Sequence, residues 1–274
     1  MEFQAAAALS FIKTTAPIAA VFIALAIATK GPRVMAAFRR CRHEVGTNIV
    51  LVLINYVLLA PFYAVAAGAV ALLVPQLPAL VAFWDGLWAP VTVLAAVLVV
   101  DFTAYWRHRF EHDPSLWPIH ATHHSDEAMH WLSVTRKHPL SRLFSLVLDD
   151  MLAIALGIPI WAIIVANLLR TWWGYFAHAD VPWTLGPLGK IMMSPAAHRL
   201  HHIDDEELMG TNYANTVTLF DRMFGTWCDP TPYLGCKTGI AAGTRGPIGE
   251  LARPFEAIAA RFGRRGLNEP AGDI

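Results

Sequence analysis

At 274 residues, with 55% hydrophobic residues and only 15% charged, and a mean hydropathy of +0.43, the chain does not have the composition of an ordinary soluble enzyme. Lys and Arg together number 21 and so do Asp and Glu, so no global field points to nucleic acid and none is expected as a partner. Three cysteines, Cys41, Cys228 and Cys236, form no C-x-x-C pair and are too few for a disulfide framework; they read as unpaired thiols in a reducing compartment.

Residues from about 5 to 29 are almost wholly apolar, enough to span roughly 30 Å of hydrocarbon as a helix. No small-residue cleavage pattern follows, so an anchor is expected rather than a cleaved signal. The next segment carries Lys30, Arg33, Arg39, Arg40 and Arg42 against Glu44, which predicts a cytoplasmic loop; His43, alone there, reads as a surface residue. A second apolar run, 49–74, is expected to return across the membrane, and the connector PQLPALVAFWDG has no Lys or Arg, as suits the outer side. A third run, from about 87 to 106, comes back and ends at Arg107, His108 and Arg109. The histidines therefore begin where a membrane helix emerges on the cytoplasmic side.

Between His138 and His178 lies a mostly apolar run, 140–176, broken by Gly157, Ile158 and Pro159. A single crossing would put His178 on the opposite face from His124, so a hairpin of two helices of about 16 residues each is predicted. Asp149 and Asp150 inside that run have no account at this level. The tail from Asp229 is expected to be loop with one short amphipathic helix over about 249–262, its arginines on lipid headgroups or in solvent. The expected architecture is all-α: an integral membrane bundle of about three spanning helices plus a helical hairpin, with a cytosolic histidine-rich cap. Its expected divisions are N-terminal membrane helices (1–106), a histidine-rich catalytic region (107–228) that includes the membrane hairpin 140–176, and a cytosolic tail (229–274).

Of the 12 histidines, 11 fall between His108 and His202. On a helix, residues i, i+3 and i+4 share a face. His108 and His112 stand at i and i+4, His120, His123 and His124 at i, i+3 and i+4, and His198, His201 and His202 repeat that pattern. Each segment is thus expected to aim two or three imidazoles at a common centre. Neutral imidazole ligates iron, zinc, copper and nickel, and these eight groups exceed what one metal accepts, which points to two. His178, one histidine after an aromatic run, is left open between ligand and core residue. His130 reads as structural. Asp101, Tyr105, His108 and His112 form one helical stripe, and an ionisable residue in a spanning run is a functional candidate. Asp101 or Tyr105 is therefore expected to hydrogen-bond outward-facing ring nitrogens and fix their tautomers. His138, followed by Pro139, is expected to cap or orient rather than bind metal.

In series, DFTAYWRHRFEH, WPIHATHHS, RKHP, FAHAD, PAAHRLHH and NYANTVTLFDRMFGTW resemble the fatty acid hydroxylase and sterol desaturase superfamily of integral membrane oxygenases, over about residues 97–228. The resemblance implies a cytosolic cap holding a non-haem di-iron centre that uses O2 and two electrons to hydroxylate or desaturate a lipid. The metal ligands it implies are His108, His112, His120, His123, His124, His178, His198, His201 and His202, with zinc able to stand in for iron on isolation. This chain departs from the pattern at Ala214, where glycine is usual, and at His130, where asparagine is common. No Rossmann glycine pattern and no haem or flavin motif is present, so electrons are expected from a separate donor of the ferredoxin or cytochrome b5 type, or from a diffusible reductant. The lipid (fatty acyl chain, sterol, carotenoid or ether lipid), the choice between hydroxylation and desaturation, and the oligomeric state are left open. Competing readings are a zinc-dependent membrane hydrolase, a non-catalytic metal-binding membrane protein, and a metal transporter, whose ligands would lie near mid-bilayer.

Overall fold

In a computed structural model, which describes residues 2–267, the long helical run at the N-terminus doubles back on itself. Helix α1 (Glu2–Lys30) passes through a tight turn at Gly31–Arg33 into α2 (Val34–Leu53). Gly31 has φ +52°, a left-handed conformation that glycine adopts at little cost. The rings of Phe11 and Tyr56 lie 5.6 Å apart, whereas an unbroken helix would hold these residues roughly 70 Å apart. The apolar run Phe3–Leu58 is therefore two antiparallel arms.

The crossing expected over 49–74 is not one straight helix. A π-helical turn at Ile54–Leu58 joins α2 to α3 (Ala60–Leu73). Asn55, buried in that turn, donates to the Lys137 carbonyl (2.8 Å) and accepts from the Tyr63 hydroxyl (2.9 Å), and Pro61 has no N–H with which to continue the ladder. Helix α3 and the next helix, α4 (Pro78–Asp85), form a pair bent by 105°. Helix α5 (Ala89–Glu111) has 23 residues, about 35 Å at 1.5 Å per residue, and runs past Trp106, its expected end. The Phe3–Leu58 run and Ala89–Glu111 are long and apolar enough to cross a membrane, with the bent pair a third candidate. The chain is an all-helical integral membrane protein, and among the described residues its only β pairings are two isolated bridges.

The hairpin after His138 forms, but its first arm is divided into α7 (Pro139–Leu148) and α8 (Met151–Ala155), while the second, α9 (Ile160–Ala177), is continuous. The division falls on Asp149 and Asp150, and their partners account for both. Asp149 accepts from Arg107 Nε at 2.6 Å and Nη2 at 3.2 Å, and Asp150 accepts from Asn167 Nδ2 at 2.9 Å. At the hairpin tip, Gly157 has φ +73°, and a Cβ there would come within 2.9 Å of Leu80 Cβ. Trp84 Nε1 donates to the Leu156 carbonyl nearby (2.8 Å). The tip and α4 thus meet at one end of the molecule, and α5 carries the chain to the other, where the histidines lie. Between α5 and α9 the core is built from small or slender residues such as Ala96, Val100, Ala162 and Ala166, which let the two backbones approach closely.

Asp101 is fully buried on α5 and accepts from Arg170 Nε of α9 at 2.6 Å. It also takes the backbone N–H groups of Thr216 (3.2 Å) and Val217 (2.9 Å). Its carboxylate is thereby consumed in tying three segments together and reaches no histidine ring, contrary to the expectation from its helical stripe. A buried guanidinium left without that carboxylate would be the costlier arrangement.

Short helices α6 (Trp117–His124), α10 (Pro195–His201) and α11 (Leu219–Met223) precede a longer α12 (Pro247–Leu267). The amphipathic helix expected over 249–262 is longer than that and docks on α6. Its Glu250 is buried, accepting from Arg136 Nη2 (3.0 Å) and Ser125 Oγ (2.8 Å), and Arg253 is buried against Glu250 instead of resting on headgroups. Positions 268–274 of the expected tail lie outside the described residues.

Replacing Asp101 by alanine leaves the Arg170 charge buried without its partner, and is expected to cost about 3–5 kcal/mol. Asp150→Ala, which loses only a neutral amide partner, should cost clearly less. Unfolding of the detergent-solubilised protein measures both; a negligible loss in Asp101→Ala would show that the Asp101 staple is dispensable.

Candidate metal centre

Nine histidines converge at the end of the bundle, in two groups. His108, His112, His120, His124 and His201 form one, His123, His178, His198 and His202 the other, with donor atoms inside each group within 4.8 Å of one another. Helix α5 contributes His108 near its end and His112 as its C-cap; α6 supplies His120, His123 and His124; His178 caps α9; α10 supplies His198 and His201, with His202 as its cap. Neither triplet aims at one centre, as the shared-face reading expected. Residues at i+3 and i+4 differ by about 100° around the helix axis. His120 and His124 accordingly serve one group and His123 the other, while His198 and His202 are parted from His201 in the mirrored sense. The groups adjoin: the His124 and His202 rings stack with centroids 4.3 Å apart.

Hydrogen bonds fix the tautomers. The Nδ1 atoms of His108, His201, His123 and His178 lie 2.7, 2.6, 3.2 and 2.7 Å from the backbone carbonyls of Tyr213, Thr211, Arg136 and Gly174. A carbonyl only accepts, so each neutral ring carries its proton on Nδ1 and presents a lone pair at Nε2. Yet Nε2 of His108 faces Nε2 of His201 at 3.0 Å, and Nε2 of His123 faces that of His178 at 3.4 Å. Two lone pairs cannot hydrogen-bond each other, and a cation between them removes the conflict. Each group holds one such pair. His112 Nε2, His198 Nδ1 and both ring nitrogens of His202 are buried with no hydrogen-bond partner at all, an arrangement costing about 1–3 kcal/mol per orphaned group unless a ligand answers it. The donor set fits two metal ions.

Two of those carbonyls come from Thr211 and, one residue into the segment NYANTVTLFDRMFGTW that follows it, Tyr213. Asn212 takes φ 53°, a left-handed conformation that asparagine tolerates better than most residues. Its side chain locks the turn by donating to Ala197 O (3.2 Å) and Cys228 O (3.0 Å) and accepting from Cys228 N–H (2.9 Å). The buried Asp221 carboxylate receives Tyr213 N–H (2.8 Å), Ala214 N–H (3.0 Å) and Thr226 Oγ1 (2.7 Å). Ala214 fits where glycine is usual because its backbone is not in the left-handed region.

Glu111 was not singled out from the sequence. Its Oε2 lies 3.2 Å from His120 Nδ1, close but not aligned as a hydrogen bond, and it is held by Arg107 Nη1 (2.6 Å) and Ser141 Oγ (2.8 Å). The signal available was its place inside H-x-x-x-H, one turn after Arg107. Asp101 and Tyr105, expected to hydrogen-bond the rings, do other things, while His138 caps a helix, as expected. Asp101 pairs with Arg170, and the Tyr105 hydroxyl meets Thr226 Oγ1 at 3.0 Å. His138 caps α7 by accepting from Leu140 N–H (3.1 Å) and stands in neither histidine group. His130 likewise caps the turn at Trp131–Thr135.

Burial first, then neighbouring imidazoles, hold His124, His198 and His202 well below the ordinary histidine value. They are neutral at pH 7, the form that binds metal.

Residues 93–226, close to half the chain, match the fatty acid hydroxylase family. The chain is 29% identical over 193 residues to ornithine lipid hydroxylase OlsE of Rhizobium tropici, covering 69% of this chain and 56% of that protein. It is 34% identical over 146 residues to alkylglycerol monooxygenase of Homo sapiens, covering 53% and 32%. Against methylsterol monooxygenase 1 of Rattus norvegicus it is 30% identical over 139 residues, covering 48% and 45%. The chain therefore spans about half the length of these relatives or less. No solved structure matches it.

Two outcomes are expected. Asp221→Ala should weaken metal binding about 10–100-fold, as loss of an outer support does, read by competition with a chelator; unchanged affinity would detach the loop from the centre. In the metal-free protein, the unfolded chain takes up histidine protons near pH 6.5 while the folded chain does not. Stability rises with pH wherever the unfolded state binds more protons, so the melting temperature should fall as pH drops from about 7 to 5, and a flat profile would contradict the neutral assignment.

Proposed function

We propose that this chain, which belongs to the fatty acid hydroxylase superfamily through residues 93–226, is an O2-dependent oxidoreductase that hydroxylates or desaturates a membrane lipid. The observation that carries the reading is the pair of adjoining histidine groups with Nε2 lone pairs turned on one another. In this reading His108, His112, His120, His124 and His201 hold one non-haem iron, and His123, His178, His198 and His202 hold the second. Bound iron would supply activation of O2 and the oxidation of the C–H bond, chemistry that belongs to the cofactor. The chain's part is to keep the rings neutral, dry and aimed. The carbonyls of Thr211, Tyr213, Arg136 and Gly174 hold protons on Nδ1, and the packing around α6 and α10 keeps water out.

The relatives are named for an ornithine lipid, alkylglycerols and methylsterols. Lipid is what these share, which supports a lipid substrate here without selecting a headgroup. Electrons would come from a separate donor of the ferredoxin or cytochrome b5 type, or a small reductant. Lys30 of the basic N-terminal segment pairs with Asp180 at 2.6 Å, two residues after His178, so the arginine-rich turn and the histidines share one end. By the positive-inside rule that end is cytoplasmic. We assign catalysis to 107–228, braced by α2 and α12 through Glu44 and Glu250.

The test is expression in a lipid-producing host with a working electron donor, comparing the wild type with His201→Ala. About two irons per chain are expected by mass spectrometry in the wild type. The product lipid should drop by more than about 100-fold in the variant, beyond the effect of an outer-shell change. Unchanged lipids, or stoichiometric zinc with turnover in the absence of O2, would replace this reading with a hydrolase or a binding protein.

A further inference from the structure

A second feature lies outside the histidine groups, between the two arms of the N-terminal hairpin. A cavity of about 930 Å³ runs between α1 and α2, within the roughly 300–1,000 Å³ usual for ligand sites. Phe11, Phe22 and Ala26 line it from α1, Ile49 and Val52 from α2, and Trp131 from the far wall. From Phe11 to Lys30 the lining follows about 28 Å of helix, close to the roughly 30 Å of a bilayer's hydrocarbon core. None of the nine clustered histidines lines it. Ile23, Ile27 and Phe38 on its rim are each 53% exposed, a surface suited to hydrocarbon rather than water.

At the turn the slot opens into a smaller hollow lined by Thr29, Lys30, Arg33, Ala37 and Arg40, four of which line both spaces. The acids at this end are already matched. Asp180 accepts from Lys30 at 2.6 Å and from Arg199 at 3.3 Å, Glu44 accepts from Arg136 at 2.6 Å, and Glu127 accepts from the Thr244 N–H at 3.1 Å. Arg33 and Arg40 are exposed and carry no ion pair among the described residues. An apolar slot of chain length that ends on unmatched guanidinium groups has the shape and charge of one kind of ligand.

We propose that this groove binds a membrane lipid with an anionic phosphate headgroup, its hydrocarbon chain along α1 and its phosphate at Arg33 and Arg40. Guanidinium groups suit phosphate oxygens because their planar donors can pair with two at once. The proposal stands on the groove alone and does not depend on the reaction assigned to the histidines.

The test uses the full chain in nanodiscs of equal phosphatidylglycerol and phosphatidylcholine, transferred to mild detergent, with retained lipid counted by native mass spectrometry. About one phosphatidylglycerol per chain is expected, with roughly tenfold preference over phosphatidylcholine. Arg33→Gln with Arg40→Gln should abolish the preference. Ala26→Trp should fill the slot and abolish retention, whereas Ala24→Trp, on the same helix but outside the lining, should leave retention intact. Equal retention of both lipids, equal loss in Ala24→Trp, or a lipid-free dimer joined through this face would each overturn the proposal. Should a variant fail to fold, a phosphatidylglycerol bearing a diazirine in its chain can be crosslinked to the wild type. Labels should concentrate on the α1 and α2 lining; labels as frequent on the exposed Leu72 and Leu94 would show ordinary bilayer contact and overturn it.

Discussion

Two imidazole nitrogens 3.0 Å apart with no proton between them, Nε2 of His108 and Nε2 of His201, impose the constraint that the rest of this molecule serves. The conflict is created deliberately by the backbone, since the Tyr213 and Thr211 carbonyls take both Nδ1 protons. Those two carbonyls flank one left-handed residue, Asn212, whose amide closes the turn against Ala197 and Cys228. Asp221 then fixes the adjoining N–H groups. Much of the segment from 211 to 228 can be understood as the means of holding two acceptors in place so that two lone pairs remain opposed. A polar cluster this deeply buried is costly when partly satisfied, and bound cations would complete it.

The second layer is a lattice of buried charge that ties the ligand-bearing elements to one another and to elements that carry no ligand. Arg136 is wholly buried; its guanidinium reaches Glu44 of α2 at 2.6 Å and Glu250 of α12 at 3.0 Å, while its own carbonyl takes His123. Arg107 joins Glu111, beside His120, to Asp149 of the hairpin. Asp101 and Arg170 join α5 to α9. Buried pairs of this kind contribute little net stability because desolvation offsets their attraction, but breaking one leaves an uncompensated charge. Each therefore penalises displacement of a ligand-bearing helix more than it stabilises the fold.

This division explains what the sequence could and could not disclose. The periodicity of His120, His123 and His124 is local, so the clustering of imidazoles was readable from spacing, as was the hairpin break at Gly157–Pro159. The parting of each triplet between two groups was not, because it depends on where neighbouring helices place the partner rings. Asp101 was legible as unusual but its partner Arg170 lies 69 residues away, beyond any local pattern. Glu111 and Arg136 look like ordinary charges in the chain, and only burial reveals their partners. The tail helix was seen as an amphipathic face; that its buried side meets α6 and not lipid follows from Glu250 finding Arg136.

The placement of the histidines on their helices adds a field that neither the spacing nor the contacts supply alone. His112 caps the C-terminus of α5, His124 ends α6, His178 caps α9 and His202 caps α10. Four helices thus finish at one place, and each C-terminus carries up to about half a negative charge from its aligned peptide dipoles, less in helices as short as α6 and α10. Such a field favours positive charge, which alone would encourage protonation of the rings. Burial opposes that, holding His124, His198 and His202 neutral. The two effects are reconciled by a cation that binds lone pairs instead of displacing them with protons: the dipoles and the tautomers select for metal, and burial selects against the competing proton.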